Sequence, residues 1–164
     1  MKNGYLYTVI FMLVITLVLT TALALANSGF APLIASNEAL AEKRAVLDAF
    51  GLAFSGDRQS DEALFAKNIR PASNSRGQQL FVRLDEKGSI TGLAVPFTGA
   101  GLWGGIRGYL ALSPELDTIQ GIVFTEQNET PGLGGRIDEV AYRDQFRDLL
   151  LASGQPLAYG APGY

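Results

Sequence analysis

No charged side chain lies between Gly4 and Ala26, a stretch rich in Leu, Val, Ile and Thr. A helix of about 20 apolar residues crosses a bilayer core, and this stretch of 23 residues is long enough to cross. Residues 1–26 therefore read as a transmembrane anchor, and the rest of the 164-residue chain suffices for one ordinary domain. The rival reading is a cleaved signal peptide, because Lys2 gives a weakly positive start and Ala24-Leu25-Ala26 fits a small-x-small cleavage pattern. Signal cores usually run to about 7–15 apolar residues, so the length here favours an anchor that is kept. Under both readings Lys2, the only charge close to the N-terminal end, favours leaving that end inside and sending the following domain out of the cytoplasm.

Residues 27–36 contain Gly29 and Pro32 and read as a short linker, with a soluble domain predicted over 37–164. A helix is predicted to start at Ser36 or Asn37. Glu38 sits in its first turn, and Ala39, Leu40, Val46, Leu47 and Phe50 form one apolar stripe that ends at Gly51. A second short helix is predicted over 60–68, capped by Ser60. The hydrophobic period then drops to two. Leu80, Val82 and Leu84 lead through a turn at 85–88 into a strand over 90–97, and strands over 105–112 and 118–125 flank the turn at 113–117. A closing helix is predicted over about 138–152, with Val140, Phe146, Leu149 and Leu150 on its apolar face. The fold class is α+β: an N-terminal membrane helix followed by one antiparallel-sheet domain with packed helices.

Several chemistries drop out. The chain has no cysteine and no histidine, which removes disulfides, thiolate or imidazole catalysis and the usual zinc sites. A net charge of −3 with scattered Lys and Arg gives no surface for nucleic acid. The acidic pairs Asp61/Glu62, Asp85/Glu86 and Asp138/Glu139 are adjacent in sequence and fall in turns or helix starts, where solvation and capping account for them. No catalytic residue and no metal ligand is assigned.

Two glycine-rich runs remain. Thr98-Gly99-Ala100-Gly101-Leu102-Trp103-Gly104-Gly105 holds the only tryptophan, and Asn128-Glu129-Thr130-Pro131-Gly132-Leu133-Gly134-Gly135 puts a carboxylate and a hydroxyl on a loop poor in side chains. Pro131 fixes its own φ and pushes Thr130 toward extended geometry, while the glycines allow positive φ and remove Cβ atoms that would block a flat partner. A lone tryptophan more often fills core volume than touches a ligand, and a Pro-Gly pair alone is more often a plain turn. In a meander, however, the first run precedes the 105–112 strand and the second follows its antiparallel neighbour. Both would then lie at one end of the hairpin, opposite the 113–117 turn.

In order and spacing, these runs and the strands between them resemble the FMN-binding domain family. The resemblance is to two kinds of electron-transport protein, the C subunit of the sodium-translocating NADH:quinone reductase and the G subunit of the Rnf complex. It covers roughly residues 80–147. It implies an FMN site made by Gly99, Gly101, Leu102, Trp103, Glu129, Thr130, Pro131, Gly132, Leu133 and Gly134. It further implies a redox subunit held in the bacterial inner membrane by a single span, with its domain on the periplasmic side and other membrane subunits as partners. Members of the family attach FMN to a threonine in a Ser-Gly-Ala-Thr-x-Thr-like motif after the Glu-Thr-Pro-Gly-Leu-Gly run. This chain has no threonine after Thr130, and Ala152-Ser153-Gly154-Gln155 is not that motif. The domain therefore reads as incomplete at its C-terminus or as one that does not carry FMN covalently. Two alternatives stay open: a membrane-tethered assembly or scaffolding relative that has lost its flavin, and a secreted small-ligand-binding protein released after Ala26.

Overall fold

The structure, a computed structural model, describes residues 3–75 and 77–151. The chain forms two units, Met1–Ala39 and Leu40–Tyr164. In the first, the described residues are all helical and belong to α1, which spans Asn3–Ala49. Over 4–39 its apolar side chains are exposed on all sides, Leu6 at 63%, Leu13 at 62% and Leu19 at 64% among them, and by length and composition the helix can cross a membrane. At 1.5 Å per residue, 4–26 alone extends about 34 Å, against a bilayer core of about 30 Å.

The expected break at residues 27–36 is absent, since α1 runs through Gly29 with Pro32 inside it. An interior proline removes one backbone hydrogen bond and crowds the carbonyl four residues back, at about 3 kcal/mol. That penalty is local. A helix with many turns on either side of the proline can bear it, which a sequence rule that stops helices at proline does not weigh.

Within the second unit, the end of α1 supplies Val46, Leu47 and Ala49, and Phe50 follows directly after it, all four buried. The helix closes where expected. Gly51 adopts φ 68°, its N–H bonds to the Asp48 carbonyl at 2.8 Å, and the Leu52 N–H bonds to the Leu47 carbonyl at 2.9 Å, the paired bonds of a Schellman cap. Next comes α2, Arg58–Asn68. Its cap is Asp57 rather than Ser60: the Asp57 carboxylate accepts from the Ser60 N–H at 2.9 Å, so the helix begins earlier than predicted.

Asp61 also departs from expectation, being buried rather than solvated. Its carboxylate accepts from Arg44 Nε at 2.7 Å and from the Ser55 N–H at 2.9 Å, tying α1, α2 and the loop between them together. Burial pushes this carboxyl up, but Arg44 and the two Ser55 donors outweigh it and hold the group below its ordinary value.

The sheet is an antiparallel meander in the order β1-β2-β3-β4-β5: Ile69–Ser73, Gln79–Leu84, Ile90–Ala100, Gly105–Leu112 and Ile119–Glu126. The first strand is additional to those predicted. It carries Pro71, which cannot donate to a ladder, and it sits at the sheet edge, where that costs least. One face receives α1 so closely that a Cβ on Gly121 would lie 2.3 Å from the Ala49 carbonyl oxygen. Ala94, Ala111 and Val123 join the α1 residues, Phe65 and Ile69 in the core. Elsewhere, Phe97, Gly108 and Phe124 pair across β3, β4 and β5, and the two rings meet edge to face at 5.8 Å over the glycine between them.

After β5 the predicted 138–152 helix does not form. The chain makes a 3-10 turn at Gly134–Asp138, one helical turn α3 at Val140–Arg143, and another 3-10 turn at Asp144–Phe146. Asp148 then takes φ 64°, and 148–151 lies along the start of β5 and the turn before it. The Asp148 N–H bonds to the Ile119 carbonyl at 2.8 Å, and the Ile119 N–H bonds to the Leu149 carbonyl at 2.9 Å. Arg143 pairs with Asp48 at 2.5 Å and anchors the segment to α1. The spacing of Leu149 and Leu150 suits a helix, yet those residues follow a sheet edge that offers backbone partners.

Candidate functional site

The site begins as a hairpin. β3 continues to Ala100, with Gly99 opposite Ile106 and Ala100 opposite Gly105, so Gly99 is a strand residue and the loop proper is Gly101–Gly104. The Gly101 N–H closes it on the Gly104 carbonyl at 2.7 Å. At the same end of the sheet, β5 finishes at Glu126, which is opposite Arg107 and paired with it at 3.1 Å. The chain then enters the second run. The meander thus brings the two runs to one end of the hairpin.

They touch there. Glu129 Oε1 accepts from the Trp103 N–H at 3.1 Å, and the Glu129 N–H bonds to Gln127 Oε1 at 2.7 Å. A Cβ on Gly101 would stand 2.3 Å from Glu129 Oε1, and one on Gly134 would stand 2.8 Å from Oε2. Those two glycines therefore make room for the Glu129 side chain, and at Gly101 the Gly104 carbonyl oxygen at 3.0 Å and Ile106 at 3.1 Å crowd the same position. Gly99 and Gly132 differ: a Cβ on either would meet nothing within 4 Å. Gly132 has φ 76°, a conformation that glycine adopts freely, while Gly99 is an ordinary strand residue.

The loop after Glu129 is built on Thr130. Its carbonyl accepts from Leu133 at 3.0 Å and from Gly135 at 3.1 Å, which turns the chain through Pro131 and Gly132 into the 3-10 turn. The backbone donors of Gly101, Trp103, Leu133 and Gly135 are thus used within and between the loops. What the runs present outward is apolar. Leu102 is 81% exposed, Trp103 68% and Leu133 73%, with Thr130 and Pro131 exposed beside them. Trp103 does not fill the core, against the usual role of a lone tryptophan.

Two participants escape a reading of the sequence. Gln127 orients Glu129 through its N–H, and Asn128 packs 3.2 Å from where a Cβ on Gly104 would be. Their signal is weak: Gln and Asn before a glycine-rich run read as ordinary turn residues. Among the described residues no cluster of His, Cys, Asp or Glu could hold a metal ion. The tail stretch Ala152-Ser153-Gly154-Gln155 lies outside the described residues.

Residues 101–157 match the family described as FMN-binding domain. The chain is similar to the C subunit of the Na(+)-translocating NADH-quinone reductase of Pasteurella multocida, 33% identical over 87 residues, which is 52% of this chain and 34% of that one. It is also similar to the same subunit of Neisseria meningitidis serogroup A, 36% identical over 83 residues, 51% of this chain and 32% of that one. The aligned part spans about a third of the length of these relatives. In fold, it resembles the crystal structure of Shewanella oneidensis NqrC, with a TM-score of 0.62 and 22% identity, covering 73% of this chain and 72% of that one. The C subunit of the reductase from Parabacteroides distasonis aligns with a TM-score of 0.62 and 20% identity, over 77% of this chain and 78% of that one. Residues 101–157 carry the pattern of the FMN-binding domain family, and the chain resembles the C subunits of Na(+)-translocating NADH-quinone reductases in the aligned sequence and their solved structures in fold.

Proposed function

We propose that this protein is an electron-transfer subunit of a membrane-bound, ion-translocating oxidoreductase, akin to the Na(+)-translocating NADH-quinone reductase or the Rnf complex, and that it holds FMN at its two glycine-rich runs. Residues 1–26 serve as a single-pass anchor in a bacterial inner membrane, 27–36 lead out of it, and 37–164 are the FMN-binding-like domain on the periplasmic side. Its partners are other membrane subunits of the complex.

The observation that carries this reading is the bond from the Trp103 N–H to Glu129, which joins two runs 26 residues apart into one surface. The residues present fit a flavin. Leu102, Trp103 and Leu133 offer apolar contact for a flat ring, Gly99 and Gly132 leave space open, and Thr130 lies exposed beside them as a polar partner. Bound FMN would supply the one- and two-electron chemistry; the protein's part is to bind, orient and limit water access, with no acid or base required of it.

Titration of the detergent-solubilised full chain with FMN tests the proposal. FMN should quench Trp103 fluorescence saturably, and Gly99→Ala, which adds a methyl group where the protein has open space, should weaken binding at least severalfold without destabilising the fold. No saturable binding by the wild-type chain would favour the assembly or scaffolding reading instead.

A further inference from the structure

Glu129 looks at first like a polar contact for the flavin, but its surroundings give it another task. One carboxylate oxygen is engaged by the Trp103 N–H, and the missing side chains of Gly101 and Gly134 leave the space that the carboxylate occupies. Asn128, Thr130, Pro131, Gly132 and Leu133 around it are all exposed, whereas Glu129 itself is half-buried. Among the described residues no lysine or arginine pairs with it: Arg107 is held by Glu126, and Arg136 by Glu139 at 3.0 Å. An anion that faces inward, engaged by a backbone donor and walled by glycines, acts on the protein's own loops.

We infer that Glu129 is a positioning residue, a clip that fixes the Leu102-Trp103 turn against the Thr130-Pro131-Gly132-Leu133 turn, and that it does not touch the cofactor. The inference rests on the flavin reading for its consequence, but the clip itself is a property of the ligand-free chain. It assigns two different tasks to the glycines. Gly101 and Gly134 accommodate the clip, while Gly99 and Gly132 face the open side. An acceptor oxygen is all the clip needs, so a negative charge is dispensable.

Glu129→Gln and Glu129→Ala in the full chain separate these roles, with two readouts. The first is hydrogen exchange of the Trp103 amide without flavin. The bond faces solvent, so its loss in Glu129→Ala should speed exchange by several-fold to about tenfold, and Glu129→Gln, which keeps an oxygen in place, should stay within about twofold of wild type. The second is FMN affinity, which should fall about tenfold in Glu129→Ala and be largely restored in Glu129→Gln. Unchanged exchange in Glu129→Ala would overturn the clip. Equal loss of FMN affinity in both variants, with Trp103 exchange preserved in Glu129→Gln, would show the charge acting on the ligand and overturn the positioning role. If exchange follows the clip while the wild-type chain binds no FMN, the flavin reading fails and the clip stands.

Discussion

Alanine substitutions at three glycines and at Glu129 turn the geometry of the two runs into a graded series of stabilities. At Gly99 the new methyl group meets nothing within 4 Å and no positive φ is involved. The change acts mainly by restricting the unfolded chain and should be neutral or stabilising by about 0.4–1 kcal/mol. At Gly101 the methyl group would collide with Glu129 Oε1 at 2.3 Å. That oxygen ends a flexible side chain, so it moves instead of the backbone, and the cost is the displaced bond to Trp103. The bond faces solvent at this loop, so water replaces much of it, and about 0.5–1.5 kcal/mol is expected.

At Gly121 the obstacle, also at 2.3 Å, is the Ala49 carbonyl oxygen, part of a buried helix end that cannot swing aside. Overpacking there should cost about 3 kcal/mol, the upper end for an added methyl group in a packed core. Thermal unfolding of each full-length variant in detergent, followed by near-ultraviolet circular dichroism, gives the order. A difference of about 1 kcal/mol is worth several degrees of melting temperature in a domain of this size. The decisive comparison is the double variant Gly101→Ala with Glu129→Ala. Without the carboxylate the shortest contact is gone, and the Gly104 carbonyl oxygen at 3.0 Å and Ile106 at 3.1 Å remain, so the double variant should still be less destabilised than the sum of the single changes. Strict additivity, or a Gly101→Ala cost equal to that of Gly121→Ala, would refute the account of Glu129 as the neighbour that requires glycine at 101.

Leu47→Ala removes a fully buried side chain from the junction of α1 with the sheet and should cost about 2–5 kcal/mol by the same thermal measurement. For Asp61 the folded carboxyl lies below its ordinary value of 3.8, so its stabilising contribution is complete above that pH and is lost as pH falls through the lower folded value. Stability should therefore drop below about pH 4, and Asp61→Asn should be less stable at neutral pH with a flatter acid limb. If 4–26 is a retained anchor, the chain should stay in the membrane fraction through carbonate washing; a mature N-terminus at Asn27 would show cleavage instead.

The sequence made the meander legible because alternation and turns carry most of its specification: Asp85–Gly88 and Ser113–Asp117 are turns by chemistry, and the strands beside them have nowhere else to go. What it hid were outcomes decided by partners distant in the chain. Asp61 reads as a solvated helix-start residue until Arg44, 17 positions earlier, is seen against it. Residues 148–151 have helical spacing, but the edge of the sheet supplies better-placed carbonyls and donors than their own next turn would. The site shows the same division more sharply. Counting glycines located both runs, and the meander predicted that they would share an end of the sheet. The purpose of each glycine could not be read locally, because the glycines of Gly-x-Gly-Leu-Trp and Pro-Gly-Leu-Gly look alike while the structure separates them by whether Glu129 is near. At Gly132 the positive φ makes any β-branched replacement strained whether or not a ligand is present, so Gly132→Val would confuse a folding defect with a binding one. Gly99, unstrained and open, is where loss of flavin affinity would speak for the site alone.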